Sequence, residues 1–378
     1  MAEKQHPALQ AGLARVENAQ AGIQTAKARL NPEGALLAGK QTGQGPGGPS
    51  NVVPLVTFSQ QVEWGALRPS RIQVAEKNLD TTRRLFDETE LGVLSQVRRT
   101  FYEVLRRDAE IELANGNLQL VEDLRNRIQV RVDVGEAGRL ELTRAEAEVA
   151  SARLQVSSAR LRRVAAIAQF SAAVGDTLDP NVQLQGTLDP AVTLRPLPEI
   201  RTEVLAKNPA LAAARAAVGR AEAQIDYQKA LRRPQPSFRA EVDMSGPTYR
   251  AGISIPLPTR NHREGQIAEA VADLRAARAE SSARELEITT ALESAYGRYE
   301  AANQQVDLLS AGPMHAAEAA LTAAETAYQL GERGILEVLD AQRLLRSVRQ
   351  DFLTAEYDRE ASLIDLDELQ AVDLRSRP

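Results

Sequence analysis

Residues 330–358, "LGERGILEVLDAQRLLRSVRQDFLTAEYD", share a skeleton with residues 134–162, "VGEAGRLELTRAEAEVASARLQVSSARLR". Each stretch opens with Gly-x-x-Gly, at Gly135 and Gly138 and again at Gly331 and Gly334. Each continues with apolar residues in a heptad. Leu142, Ala145, Val149, Ala152, Val156 and Ala159 are spaced 3, 4, 3, 4, 3, and Val338, Ala341, Leu345, Val348, Phe352 and Ala355 repeat that spacing in register. Such a stripe is a coiled-coil seam. A Gly-x-x-Gly between helical patterns reads as the tip of a helical hairpin, with glycine supplying the left-handed backbone that ends the first helix.

The pattern extends outward from both tips. Before each lies a long helical run, about 66–133 in the first case and 262–330 in the second, each roughly 100 Å long at 1.5 Å per residue. Gly312-Pro313 is the strong breaker in the second run and predicts a kink or short interruption. Residues 6–32 align without a gap on 208–234, with about 12 of 27 positions identical; Pro7, Val16, Lys27 and Pro32 fall on Pro209, Val218, Lys229 and Pro234. The chain therefore reads as a tandem duplication, residues 1–186 and 187–378, with tips at 132–140 and 328–336. Shorter helices at 6–31 and 140–174, and at 199–233 and 335–372, nearly sum to one long helix in each repeat, so stacked end to end they can run beside it. The Pro-, Asp- and Gly-rich segment 175–198 is expected to be an outside linker between the repeats.

Between the first short helix and the long helix of each repeat, alternation switches to period two. Phe238, Ala240, Val242 and Met244 oppose Arg239, Glu241 and Asp243, while Tyr249, Ala251, Ile253 and Ile255 oppose Arg250, Gly252 and Ser254. Strands are expected at about 35–42, 53–64, 237–244 and 248–257, the first two joined by the loop "GQGPGGPSN". Short strands with one apolar face and aromatic residues near their ends, here Trp64 and Tyr249, match transmembrane barrel strands. Four strands cannot close a barrel, whereas three chains supplying about twelve can. The fold class expected is mainly α with a small β part: tandem long helical hairpins, plus four strands per chain contributing to a trimeric barrel.

Composition agrees. Aromatic residues are 4% of the chain against 43% hydrophobic overall, much of it alanine, which suits closely packed helices rather than a thick core. Net charge is −5 with both signs interspersed, so no basic patch points to nucleic acid. The start "MAEKQHPALQ" has no apolar stretch, so a secretory signal is expected to be absent from this sequence, and with no cysteine there are no disulfides or thiolate sites in it. No phosphate-cradling loop or nucleophile elbow is present, and His6, His262, His315 and Met314 lack ligand spacing. No enzymatic activity, cofactor or metal site is expected.

The duplicated strand-hairpin and helix-hairpin layout, the two tip turns and "IPLPTRNHREGQIAEA" at 255–270 together resemble the TolC-like outer-membrane efflux family over essentially the whole chain. The last motif is similar to the cobalt-zinc-cadmium (CzcC-like) heavy-metal branch. The resemblance implies a homotrimer in the Gram-negative outer membrane whose helices form a periplasmic tunnel. It further implies a periplasmic adaptor (membrane fusion) protein and an inner-membrane pump of the resistance-nodulation-division type as partners. It places gate residues at Tyr328 and Arg333 with a carboxylate partner at Glu141, and lumen-facing carboxylates at Glu337 and Asp340. Adaptor docking falls on Val134-Gly135-Glu136 and Leu330-Gly331-Glu332, where glutamate replaces the family's leucine. A drug or small-molecule duct is the alternative within the family; a soluble coiled-coil scaffold is the alternative outside it.

Overall fold

The computed structural model describes residues 6–41, 51–188, 192–244 and 248–372. The elements in order are α1 (Pro7–Lys27), β1 (Glu33–Gln41), β2 (Asn51–Gln61), α2 (Leu67–Asp133), α3 (Arg139–Val174), α4 (Leu197–Lys207), α5 (Pro209–Leu231), β3 (Ser237–Asp243), β4 (Thr248–Ser254), α6 (Glu264–Ala311), α7 (Pro313–Gln329) and α8 (Ile335–Leu369). Contacts divide the chain into two units that each draw on both repeats: residues 12–87 with 209–285, and residues 6–11, 88–208 and 286–372.

The first of these units contains the sheet. Its strands run antiparallel in the order β1-β2-β3-β4. Register puts Leu36, Val56, Val242 and Tyr249 in one cross-strand row, and Gly34, Phe58, Ala240 and Ala251 in the next row on the same face. The opposite face carries Thr57, Glu241 and Arg250, then Ser59, Arg239 and Gly252. The apolar face is bare in the single chain: Leu36 is 72% exposed, Ile253 71% and Tyr249 76%. The strands stop at Gln61 and Ser254, short of the expected 64 and 257, and most of the loop "GQGPGGPSN" lies outside the described residues. Below the sheet, two arginines of α2 complete the end of α1. Arg68 Nη2 donates to the Lys27 carbonyl at 2.7 Å, and Arg71 donates to the carbonyls of Ala26 and Ala28 at 3.0 and 2.9 Å while paired with Glu63. Helix-end carbonyls that would otherwise lack donors are thus satisfied. Gly12 allows the close approach of α1 to α2, since a Cβ there would stand 2.7 Å from the Phe86 ring.

The second unit is helical. The heptad seam is buried as its spacing requires, with Ala145, Val149, Ala152, Val156 and Ala159 of α3 and Val338, Leu345 and Ala355 of α8 all inside. Gly312 interrupts the second long run between α6 and α7, with Pro313 opening the new helix. A second break was not expected. The helix read as 199–233 ends at Lys207 and restarts at Pro209, because a residue preceding proline is pushed out of helical backbone, and Asn208 sits at φ −59°, ψ 122°. Its side chain donates to the Leu369 carbonyl at 3.0 Å.

The linker is mostly exposed, yet it is packed onto the helices rather than loose. Gly175 at φ +79° ends α3. The chain after it is pinned: Arg163, paired with Asp108, donates to the carbonyls of Pro180 and Val182 at 2.9 and 2.6 Å. Leu178, Val182 and Leu184 then pack on a core of Val104, Ile167 and Phe170. Nearby, α8 buries a charge completely. Glu360 is 0% exposed, the Arg98 guanidinium stands 3.7 Å from its Oε1, and Arg98 also bonds Asp367 at 3.1 Å. Burial, with the Asp367 charge, raises the Glu360 carboxyl above the ordinary range against the pull of Arg98, Tyr102 and Arg359.

A carboxyl raised in the folded state favours folding at pH below its unfolded value and loses that contribution as pH climbs through its folded value. Glu360→Gln is therefore expected to raise the apparent melting temperature of detergent-purified protein at pH 7.5, the gain shrinking toward pH 4.5. A Gln variant less stable than the parent at every pH would contradict this.

Candidate functional site at the hairpin tips

The two tips are built alike. Gly135 at φ +83° and Gly331 at φ +74° adopt the left-handed backbone that side chains disfavour. At the first, Gly135 N–H bonds the Val132 carbonyl at 3.1 Å and Glu136 N–H the Arg131 carbonyl at 2.8 Å. At the second, Gly331 N–H bonds Tyr328 at 3.1 Å and Glu332 N–H bonds Ala327 at 3.0 Å. This paired closure is the Schellman motif, repeated residue for residue. Gly138 and Gly334 are different: both are extended, at φ −83° and −84°, and stand as N-caps of α3 and α8. Under the tips lies a shared core of Leu124, Ile128, Ala145, Leu321, Ile335 and Val338.

Tyr328 is buried against this core, and its hydroxyl donates to Glu141 Oε2 at 3.0 Å. The bond ties the last turn of α7 to the first turn of α3, where the helix dipole favours a carboxylate. Burial, and then the hydrogen bond to Glu141, raise the tyrosine's pKa, so it is a dependable donor near neutrality. Arg333 is not at this junction. It lies exposed and donates to Glu337 Oε1 at 3.1 Å, four residues along its own chain. Asp340, also exposed, is 3.6 Å from Arg343 Nη1. Val134 and Leu330 occupy equivalent turn positions and are 67% and 69% exposed, a pair of apolar knobs in solvent. Glu136 Oε2 stands 3.9 Å from Arg131 Nε; Glu332 is exposed in the second turn.

Sequence reasoning passed over two groups here. Arg131 of α2 lies with its guanidinium carbon 4.8 Å from the Tyr328 ring centroid and donates to that residue's carbonyl at 3.3 Å. Glu148 of α3 receives Arg343 at 2.9 Å and Arg346 at 3.7 Å from α8, clamping the seam beside Val149. Charges flanking a heptad seam are a legible signal for the clamp. Nothing in the local sequence marks Arg131. Among the described residues no group of three His, Cys, Asp or Glu side chains is placed to hold a metal ion, and no helix is long and apolar enough to cross a membrane.

The family model "Outer membrane efflux protein" matches residues 1–176 and 200–371. This chain belongs to the outer membrane efflux protein family. It is 27% identical over 353 residues to the cobalt-zinc-cadmium resistance protein CzcC of Cupriavidus metallidurans, covering 91% of this chain and 82% of that one. It is 24% identical over 302 residues to the nickel-cobalt-cadmium resistance protein NccC of Alcaligenes xylosoxydans xylosoxydans, covering 79% and 68%. In fold it is similar to the outer membrane protein VceC of Vibrio cholerae, with a TM-score of 0.82 at 19% identity over 98% of this chain and 94% of that one. It is thus an efflux protein of the Gram-negative outer membrane, TolC-like in fold, rather than a soluble scaffold.

Left-handed backbone costs a residue with a side chain about 1–2 kcal/mol. Gly135→Ala is expected to lower thermal stability accordingly. Gly138→Ser, whose hydroxyl suits an extended N-cap, should leave it unchanged or higher. Equal effects at the two positions, read by thermal unfolding of the detergent-solubilised protein, would contradict the assignment of one glycine to the turn and the other to the cap.

Proposed function

We propose that three copies of this chain form the outer-membrane duct of a tripartite efflux system that passes divalent heavy-metal cations out of the cell. The carrying observation is the four-stranded sheet. It has one exposed apolar face, an opposite face that is charged on β3 and β4 and carries Leu37 and Leu55 on β1 and β2, and β1 and β4 at its two edges. An edge strand with free backbone groups requires a partner, and in a bilayer only closure supplies one. On this reading β4 of each copy pairs with β1 of the next, giving twelve strands with the apolar rows toward lipid and Arg239, Glu241 and Arg250 toward the lumen.

The helical hairpins then form the periplasmic tunnel, and the tips its closed end. Tyr328 and Glu141 join the hairpins within one copy, while Arg333, in the turn and paired among its described side-chain contacts with exposed Glu337 in the first turn of the following helix, is the group available to a carboxylate of the adjacent copy. Glu337 and Asp340 line the constriction and bias it toward cations. Val134-Gly135-Glu136 and Leu330-Gly331-Glu332 form the docking surface for a periplasmic adaptor, the leucine and valine seating in apolar sockets and the glutamates meeting a polar or basic rim. The adaptor connects the duct to an inner-membrane pump of the resistance-nodulation-division type. Metal as cargo is supported by the likeness to CzcC and NccC, both named for metal resistance.

The deciding measurement is the mass and bilayer conductance of detergent-purified protein. A conducting species of roughly 120 kDa is expected. A monomer that never conducts would end the duct reading. Deleting the gene should sensitise the host to cobalt, zinc or cadmium, whereas sensitivity confined to organic drugs would reassign the cargo. Reversing Glu337 and Asp340 together is expected to weaken cation selectivity, and Arg333→Ala to raise single-channel conductance. Unaltered selectivity or conductance would remove the corresponding residue from the constriction.

A further inference from the structure

Arg131 lies two residues before the end of the first long helix and takes part in both tip turns at once. Its backbone carbonyl accepts the Glu136 N–H at 2.8 Å, the longer of the two bonds of the first Schellman closure in chain terms. Its side chain reaches across to the second. Nη1 donates to the Tyr328 carbonyl at 3.3 Å, and that same carbonyl accepts the Gly331 N–H that closes the second turn. The guanidinium plane meanwhile covers the Tyr328 ring at 4.8 Å, and Nε stands 3.9 Å from the Glu136 carboxylate in the first turn. An arginine can do this because its planar fork stacks with one surface and donates along its edge.

We propose that Arg131 is the positioning residue of the tip: it fixes the Tyr328 ring so that the hydroxyl meets Glu141, and it mechanically couples the two hairpin turns. The contacts account for each other. Tyr328 has one face of its ring under the guanidinium and its hydroxyl on Glu141, so rotation of the side chain toward solvent breaks both. Displacement of the first turn moves the backbone of Arg131, and with it the donor on the Tyr328 carbonyl. Movement at one hairpin is thereby transmitted to the other within a single copy, with no contact between copies required. Arg131 also lines an open cleft of roughly 400 Å³ with Leu124, Arg127, Glu136 and Val338. A ligand or partner entering that cleft would compete for the guanidinium that restrains the tyrosine.

This inference rests on the gate reading of Tyr328, and the test separates the two. Single-channel conductance would be measured for the purified channel carrying Tyr328→Phe, Arg131→Gln, Arg131→Lys, and Tyr328→Phe with Arg131→Gln together. Expected is a conductance at least doubled by Tyr328→Phe, a similar rise for Arg131→Gln, and no further rise in the double variant, because both substitutions release the same bond. Arg131→Lys keeps the charge but not the planar fork, and is expected to fall between the parent and Arg131→Gln. Opening by Tyr328→Phe with parental conductance in Arg131→Gln would overturn the positioning role and leave the gate standing. Parental conductance in every variant would remove the gate and this role together. Additive rises in the double variant would show that Arg131 acts elsewhere. Should Arg131→Gln fail to assemble, the lysine variant decides: a conductance equal to the parent's overturns the role of the stacked guanidinium.

Discussion

A helix end exposes carbonyls that need donors, and the hairpin tips depend on meeting that need within three residues. Gly135 and Gly331 do so by turning left-handed, which brings two successive N–H groups back onto the last turn. Once the turn is fixed, the direction of the returning helix is fixed, and with it the register of the heptad seam. Val149 then meets Leu118 and Val121 of α2, while Tyr328 is delivered onto the same core as Ile335 and Val338. The tip chemistry follows from this geometry: Glu141 can receive the Tyr328 hydroxyl because each residue lies within two turns of a glycine whose conformation is the same in both hairpins.

How much of this was legible follows from the range over which each feature is encoded. The Gly-x-x-Gly turns, the 3-4 spacing and the period-two strands are local, and the residues they named occupy the expected faces: Val338 and Ala145 are buried, Phe238 and Ile253 share the apolar sheet face. Pro209 carried a local signal too, and the break before it was overlooked because the surrounding alanines suit a helix. The features that sequence did not yield are long-range pairings. Arg131 meets Tyr328, and Arg98 meets Asp367, across long intervals of chain, and each arginine is otherwise an ordinary helical charge. The linker shows the same limit: its Pro and Asp content is local and legible, but the core on which Leu178, Val182 and Leu184 pack comes from distant helices.

The sheet and the buried charges face opposite problems. In the sheet, apolar side chains lack cover and the backbone edges lack partners, so this unit is energetically incomplete as a single chain in water. In the helical unit, charge is enclosed where cover is complete: Glu360 at 0% exposure depends on Arg98, and Arg98 also serves Asp367. Removing Arg98 would leave both buried carboxylates without their shared cation and typically costs about 3–5 kcal/mol, whereas neutralising Glu360 leaves Arg98 its bond to Asp367; replacing the whole group by apolar residues is often neutral. The arrangement therefore adds little net stability, but it resists shearing of α8 along α2, since a slip would separate Arg98 from both carboxylates at once.

The contacts at the tip fall into two kinds, and the difference bears on how a duct can both hold closed and open. The Arg131–Tyr328–Glu141 set combines stacking, a buried ring and hydrogen bonds that meet on the one residue Tyr328, so losing one contact weakens the rest. Arg333–Glu337, from the tip turn to the first turn of α8, and Arg343–Asp340 within α8 are exposed local pairs, each worth about 0–1 kcal/mol. Arg343 keeps Glu148 as a second, better sheltered partner and stays with the seam. Arg333 has no such tether among its described contacts, and the pair it leaves is nearly isoenergetic with solvent. In the proposed trimer, a carboxylate presented by a neighbouring copy at similar distance can therefore recruit it at small cost and release it at small cost. On that proposal coupling within each copy is firm and exchange between copies inexpensive, a division that would let hairpins move as bodies while the contacts between them change.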